Sequence, residues 1–303
     1  MEYAADRTQS KYMIGVAALI LSAILTALSQ VYYGNRVQSV HPFLFTGISF
    51  FITTCYFQWF ARKQRLPYYW RKAISPLVKL NLSSALTFMG FYYALKYIEP
   101  AIVSSLEMGI GPLFVILIAL FQRKAVILEK WGIAVGTLLT TFLLIYAVFT
   151  GQSATAIQWD VNVLLGIFAS VACGLGAVLC TIYSKQLSNE GWTSSMILSK
   201  RFYGIILLSF FFTYDLIFDY ALENIGWILV ITFTGVLIPM YLLQKGIQYC
   251  ETFLVMMSLC FIPVITFFLQ LFDSRLQWSN LTLVGVLLLF GLGISSVYVE
   301  RKA

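Results

Sequence analysis

The chain of 303 residues reads as ten apolar runs, each about as long as a bilayer-spanning helix. A hydrocarbon core of ~30 Å needs ~20 mostly apolar residues per helix. The runs lie at Tyr12–Tyr33, Pro42–Ala61, Pro76–Tyr97, Ala101–Phe121 and Trp131–Phe149, then at Val161–Ser184, Ser195–Phe218, Ile225–Gly246, Thr252–Phe272 and Asn280–Tyr298. Short connections separate them, leaving no room for a folded domain outside the membrane. Only 11% of residues are charged and 60% are hydrophobic, with a mean hydropathy of +0.83. A soluble domain carries roughly a quarter charged residues. The sequence therefore predicts an all-α integral membrane protein. The polar start, Met1 to Lys11, leads into the first run without a small-residue cleavage site, so a retained helix is expected in place of a cleaved signal peptide.

The composition removes several classes of function. One histidine, 13 carboxylates and the absence of HExxH, CxxC, GxxxxGK[ST] and GxSxG strings leave little for a metalloenzyme, an ATPase or a serine hydrolase, so no metal, cofactor or catalytic residue is expected. The charge of +7 is spread over the ends of the apolar runs, which argues against nucleic acid as a partner. Cys55, Cys173, Cys180, Cys250 and Cys260 all fall in or beside apolar runs and read as small buried hydrophobes, with no disulfide framework.

Lys and Arg on alternate sides of ten spans divide as 14 against 3, with Lys79, Lys200 and Arg201 inside spans near the richer side. The positive-inside rule then puts both termini in the cytoplasm. The basic loop from Arg62 to Lys72 mixes cations with Pro67, Tyr68, Tyr69 and Trp70, as interfacial anchors do; a partner-binding role is the alternative.

An internal repeat is visible. Tyr97-Ile98-Glu99 is followed by Pro112 and Phe121, and Tyr249-Cys250-Glu251 by Pro263 and Phe272, with Gly132 and Gly285 opening the next runs. Residues 1–150 and 151–303 thus read as two five-helix units. An odd number of spans inverts the second copy, an arrangement common in secondary transporters.

The turn Ala94-Leu95-Lys96-Tyr97-Ile98-Glu99-Pro100-Ala101, the Pro112 and Pro263 positions and the run Cys180-Thr181-Ile182-Tyr183-Ser184-Lys185 resemble the drug/metabolite transporter superfamily. They are similar to its ten-helix exporters built from paired EamA-type repeats, and most of all to the bacterial aromatic amino acid exporters. The resemblance implies a bacterial inner-membrane exporter of a small amino-acid-like metabolite, working by alternating access. Aromatic or hydrophobic amino acids are the leading cargo, with an opine-type metallophore as the alternative. Uptake in place of export, a non-transporting sensor or assembly subunit, and, less expected, a membrane-embedded enzyme also remain open. The family commonly has tryptophan near Gly176 and its amino acid exporters bulky residues near Gly109 and Gly111. Here Gly174, Gly176, Gly109 and Gly111 either enlarge a cavity for a bulkier substrate or allow close helix packing.

Ionisable groups inside a bilayer are costly and need a reason. Glu107, near the middle of its run, suits proton coupling, since a carboxyl withdrawn from water can carry and release a proton; a hydrogen-bonded bridge between helices is the alternative. Lys200 and Arg201 can attract a substrate carboxylate or snorkel to the interface. Ser84, Thr87, Phe88 and Phe91 fall at helical spacing and fit one cavity wall. Tyr92, Tyr183, Tyr203 and Tyr241 can stack on or hydrogen-bond a substrate. Gln244 and Ser258, like Gln30 and Gln248, add neutral polar groups that otherwise bond between helices. His41 reads as a loop residue before Pro42. Pro112 and Pro263, at equivalent repeat positions, and Pro239 each remove a backbone hydrogen bond and permit a hinge.

Overall fold

A computed structural model of the chain describes residues 2–36, 40–64, 67, 70–123, 125–154, 160–250, 252–273 and 276–302. Among these, all regular structure is helical: α1 (Glu2–Arg36), α2 (Pro42–Ala61), a short 3-10 turn (Trp70–Ala73), α3 (Ile74–Tyr97), α4 (Pro100–Phe121), α5 (Leu128–Phe149), α6 (Val161–Asn189), α7 (Ser194–Leu198), α8 (Tyr203–Thr213), α9 (Ile217–Ile231), a π-helical turn (Thr232–Leu237), α10 (Ile238–Tyr249), α11 (Thr252–Leu259), α12 (Phe261–Gln270) and α13 (Asn280–Lys302). Glu251, Arg65, Tyr68 and Tyr69, which carried parts of the repeat and of the basic anchor, lie outside the described residues.

Seven stretches among the described residues are long and apolar enough to cross a membrane: Lys11–Tyr33, Pro42–Ala61, Pro100–Phe121, Leu128–Phe149, Val161–Asn189, Ser194–Thr213 and Asn224–Tyr249. The architecture is that of a multi-pass helical membrane protein. The other three expected runs are helical but differ from uniform spans for physical reasons. In α3 the apolar content is diluted by Lys79, Asn81, Ser83, Ser84 and Thr87. The run from Thr252 is cut at Cys260 into α11 and α12. The apolar part of α13 covers Asn280–Ser295.

Three interruptions divide the expected spans, the last two beside Pro239 and Pro263. The expected span Ser195–Phe218 breaks after Leu198 and resumes at Tyr203. Asn81 of α3 bridges the break: its Nδ2 donates to the Lys200 carbonyl at 2.8 Å, and its Oδ1 accepts the Gly204 amide at 3.1 Å. Backbone groups freed inside a membrane need such partners. The second interruption is the π-helical turn just ahead of Pro239. A proline ring has no N–H to offer and collides with the carbonyl four residues back, here Gly235, and widening the turn relieves the clash. Ser22 of α1 donates to the Pro239 carbonyl at 2.8 Å. The third lies at Cys260, three residues before Pro263, which falls in the first turn of α12, where its missing N–H costs least. Pro112, by contrast, sits inside an unbroken α4.

Helices from the two halves interleave. α3 packs along α6, α1 along α10 and α12, α4 on α5 and α6, α2 on α8, and α5 on α13. Cys55 faces outward from α2, whereas the other four cysteines are buried as expected.

Candidate functional site

α6 approaches α3 and α4 along a ridge of small residues. A Cβ on Gly176 would fall within 2.3 Å of Thr87 Oγ1 and 3.0 Å of the Ser83 carbonyl. One on Gly174 would fall 2.7 Å from the Glu107 carbonyl, and one on Gly109 would meet Thr141 Oγ1 at 2.3 Å. Neighbouring helices fill the space beside Gly109, Gly174 and Gly176, and Gly176 is not among the lining residues of the central cavity.

Where the interleaved helices diverge, they enclose a central cavity of about 80 Å³. Ser22, Thr26 and Gln30 of α1 and Phe50 of α2 form one side. Thr87, Phe88, Phe91 and Tyr92 of α3 and Glu107 and Met108 of α4 form the next. Ala177, Cys180 and Thr181 of α6, Arg201, the π-helical turn at Gly235 and Val236, and Met240, Leu243 and Ile247 of α10 complete the ring with Leu259 and Ile262. A water needs ~10–15 Å³ on this measure, so the space has room for several waters.

Two ionisable side chains line the wall. Glu107, 8% exposed, is reached by the Cys173 thiol of α6. Arg201, 2% exposed, stands in the break between α7 and α8. Its Nε donates to Ser84 Oγ at 2.8 Å, and its guanidinium carbon lies 5.6 Å from the Phe88 ring centre and 5.5 Å from that of Phe202. Its other contacts leave one terminal nitrogen buried without a hydrogen-bond partner.

The cavity thus gathers Thr87, Phe88, Phe91, Tyr92, Glu107 and Arg201 from the sequence-derived set, and Ser84 touches it through Arg201. The others lie elsewhere. Lys200 is exposed, with its Nζ 3.4 Å from the Tyr203 hydroxyl, because the break turns it away from Arg201. Tyr203 also accepts from Gln58 at 3.0 Å. Tyr183 carries Lys79 over its ring at 5.7 Å, and Tyr241 stacks on Phe57 at 5.9 Å. Ser258 lines an outer apolar groove between α1, α12 and α13. Gln244 is fully buried on α10 with both amide atoms unpartnered, off the cavity wall. Sequence reasoning passed over Ser22, Thr26 and Phe50; the first two, with Gln30, recur every four residues and make a polar stripe readable on α1.

A polar knot closes one end of the bundle. Buried Glu99, at the head of α4, accepts from Gln270 Nε2 at 2.5 Å, the Ala154 amide at 2.8 Å and Thr282 Oγ1 at 3.4 Å. At the other end, Lys185 of α6 donates to the carbonyls of Ile247 at 3.0 Å and Cys250 at 2.6 Å, capping α10 with a cation where a helix end favours one.

No family model matches this chain, and no curated protein does. Sixteen chains of solved structures match. One, described as "Crystal structure of protein", superposes with a TM-score of 0.66 over 97% of this chain and 99% of that one, at 17% identity. At that identity the likeness concerns the fold alone.

Proposed function

We propose that the chain is a secondary active transporter that exports a small amino-acid-like metabolite across a bacterial inner membrane by alternating access. In this reading α3, the α11–α12 pair and α13 join the seven long helices as ten spans, in two inverted units with both termini cytoplasmic. The packing order supports it. Numbering the ten runs in order, run 3 on 6 answers to run 8 on 1, and 4 on 6 to 9 on 1, while 2 on 7 and 5 on 10 map onto themselves. A two-fold relation between inverted halves produces such pairings.

The observation that carries the proposal is the cavity ringed by helices of both halves, with the Glu107 carboxyl in its wall. A cavity shared between the units can open to either side as they shift, and a buried acid can carry the coupling proton. The filled glycine sites favour an aromatic or hydrophobic amino acid over the bulkier opine-type metallophore.

Labelled phenylalanine, tryptophan and nicotianamine would be followed in proteoliposomes with an imposed pH gradient. Gradient-driven flux of the amino acids is expected, lost in Glu107→Gln while counterflow persists. Folded protein that moves none of them under any gradient would overturn the reading.

A further inference from the structure

We propose that Arg201 anchors the carboxylate of the transported molecule, so that the cavity selects small carboxylates with an apolar or aromatic body. The inference rests on the transporter reading for its substrate but on geometry for its chemistry.

Three independent features converge on Arg201. Its guanidinium is held in place: Ser84 fixes Nε at 2.8 Å, and the Phe88 and Phe202 ring centres lie 5.6 and 5.5 Å from its carbon. Its charge is permanent, and a cation withdrawn from water needs an anion or hydrogen bonds to offset lost hydration. Yet one terminal nitrogen is buried with no partner, on a side chain that lines the cavity. An oxygen anion bound in the cavity beside the guanidinium would offset that charge through charge-assisted hydrogen bonds.

The lining defines the class. Among the described lining residues Arg201 is the one cation, and they include no lysine. A single guanidinium fork suits a carboxylate, whereas a dianionic phosphate calls for more positive charge. Phe50, Phe88, Phe91, Tyr92, Met108 and Met240 offer the remainder of the ligand an apolar bed. The helix break makes the arrangement possible. In a continuous helix Lys200 and Arg201 would differ by about 100° around the axis and share a local frame. The break sends Lys200 to the surface and Arg201 inward.

The test uses the full-length protein in detergent and 3-phenylpropionate as probe, with its neutral amide as control. Binding is read by calorimetry and by the rise in thermal midpoint. The acid should bind wild type at least about tenfold more tightly than the amide, reflecting the loss of a charge-assisted contact. Arg201→Met should erase the difference, and Arg201→Lys and Ser84→Ala, which are gentler on folding, should each shrink it. Equal binding of acid and amide, no binding of the acid to wild type, or undiminished preference in folded Arg201→Lys and Arg201→Met would overturn the proposal. Flux separates the two ideas. Acid-selective binding through Arg201 with no flux of any compound sinks the carrier and leaves the anchor, whereas flux indifferent to Arg201 sinks only the anchor.

Discussion

Asn81 donates its side-chain amide to the Lys200 carbonyl at 2.8 Å, so a residue of α3 holds together the two pieces of a helix more than a hundred positions away. The same amide group accepts from Gly204, which leaves both ends of the break satisfied by one side chain. Asn81→Ala strands a carbonyl and an N–H and should cost about 1–3 kcal/mol. Asn81→Asp keeps the acceptor for Gly204 and loses the donor to Lys200, so it should fall between. Thermal unfolding in detergent measures the series. A wild-type midpoint for Asn81→Ala would show that the break needs no bridge.

Glu99 ties the start of α4 to α12, α13 and the residue Ala154 through three hydrogen bonds. Glu99→Ala leaves the Gln270 amide and the Ala154 N–H without this acceptor, at ~1–3 kcal/mol for each buried group that finds no other. Gln270→Leu in the same background should then cost less than it does in wild type, because the two residues share one network. Fully additive losses in this double-mutant cycle would refute the coupling.

His41 caps α2 by accepting the Phe43 amide on Nδ1 at 3.3 Å, which requires an unprotonated nitrogen. Burial of the ring, helped by the nearby Lys96, lowers its pKa from the ordinary histidine value. A base with a depressed folded pKa contributes stability that is complete above the unfolded value of ~6.5 and is lost as pH falls through the folded value. Unfolding midpoints taken between pH 8 and 5 should therefore drop more steeply for wild type than for His41→Asn, a cap that does not titrate. Parallel curves would remove His41 from the account.

Glycines that look alike in sequence should respond in opposite directions. Gly176→Ala puts a methyl against the Ser83 backbone and Thr87, forcing α3 and α6 apart at about 1–3 kcal/mol. Gly132, near the start of α5, has open space around its Cβ position, so Gly132→Ala should stabilise α5 by ~0.5–1 kcal/mol. Relative unfolding midpoints of the two variants decide this, and the same sign for both would contradict the packing described.

The helices were legible because apolar length and charge placement are local properties. The α3 wall was legible too: Thr87, Phe88 and Phe91 recur at helical spacing whatever packs against them. The break near Arg201 was not, since it depends on Asn81, remote in sequence, whereas the π-helical turn and the cut at Cys260 each lie beside a proline that the sequence marks, Pro239 and Pro263. Lys200 and Arg201 shared the same two readings, and the break settles their places by sending one to the surface and the other inward. Tyr183, Tyr203 and Tyr241 were chosen for their chemistry, and tertiary contacts with Lys79, Gln58 and Phe57 decided their places. Gly176 shows the converse, since an absent side chain reads the same whether a ligand or a helix fills the gap.

All three interruptions fall after residue 194, while α1 to α5 each run unbroken. A continuous helix resists bending through its whole ladder of hydrogen bonds, whereas a broken one deforms at its joints. The two halves are then mechanically unequal: the first is a stiff frame, and compliance is concentrated around residues 199–202, 232–237 and 259–261. Symmetry of ancestry would not imply symmetry of motion, and any rearrangement around the cavity would be absorbed mostly on one flank.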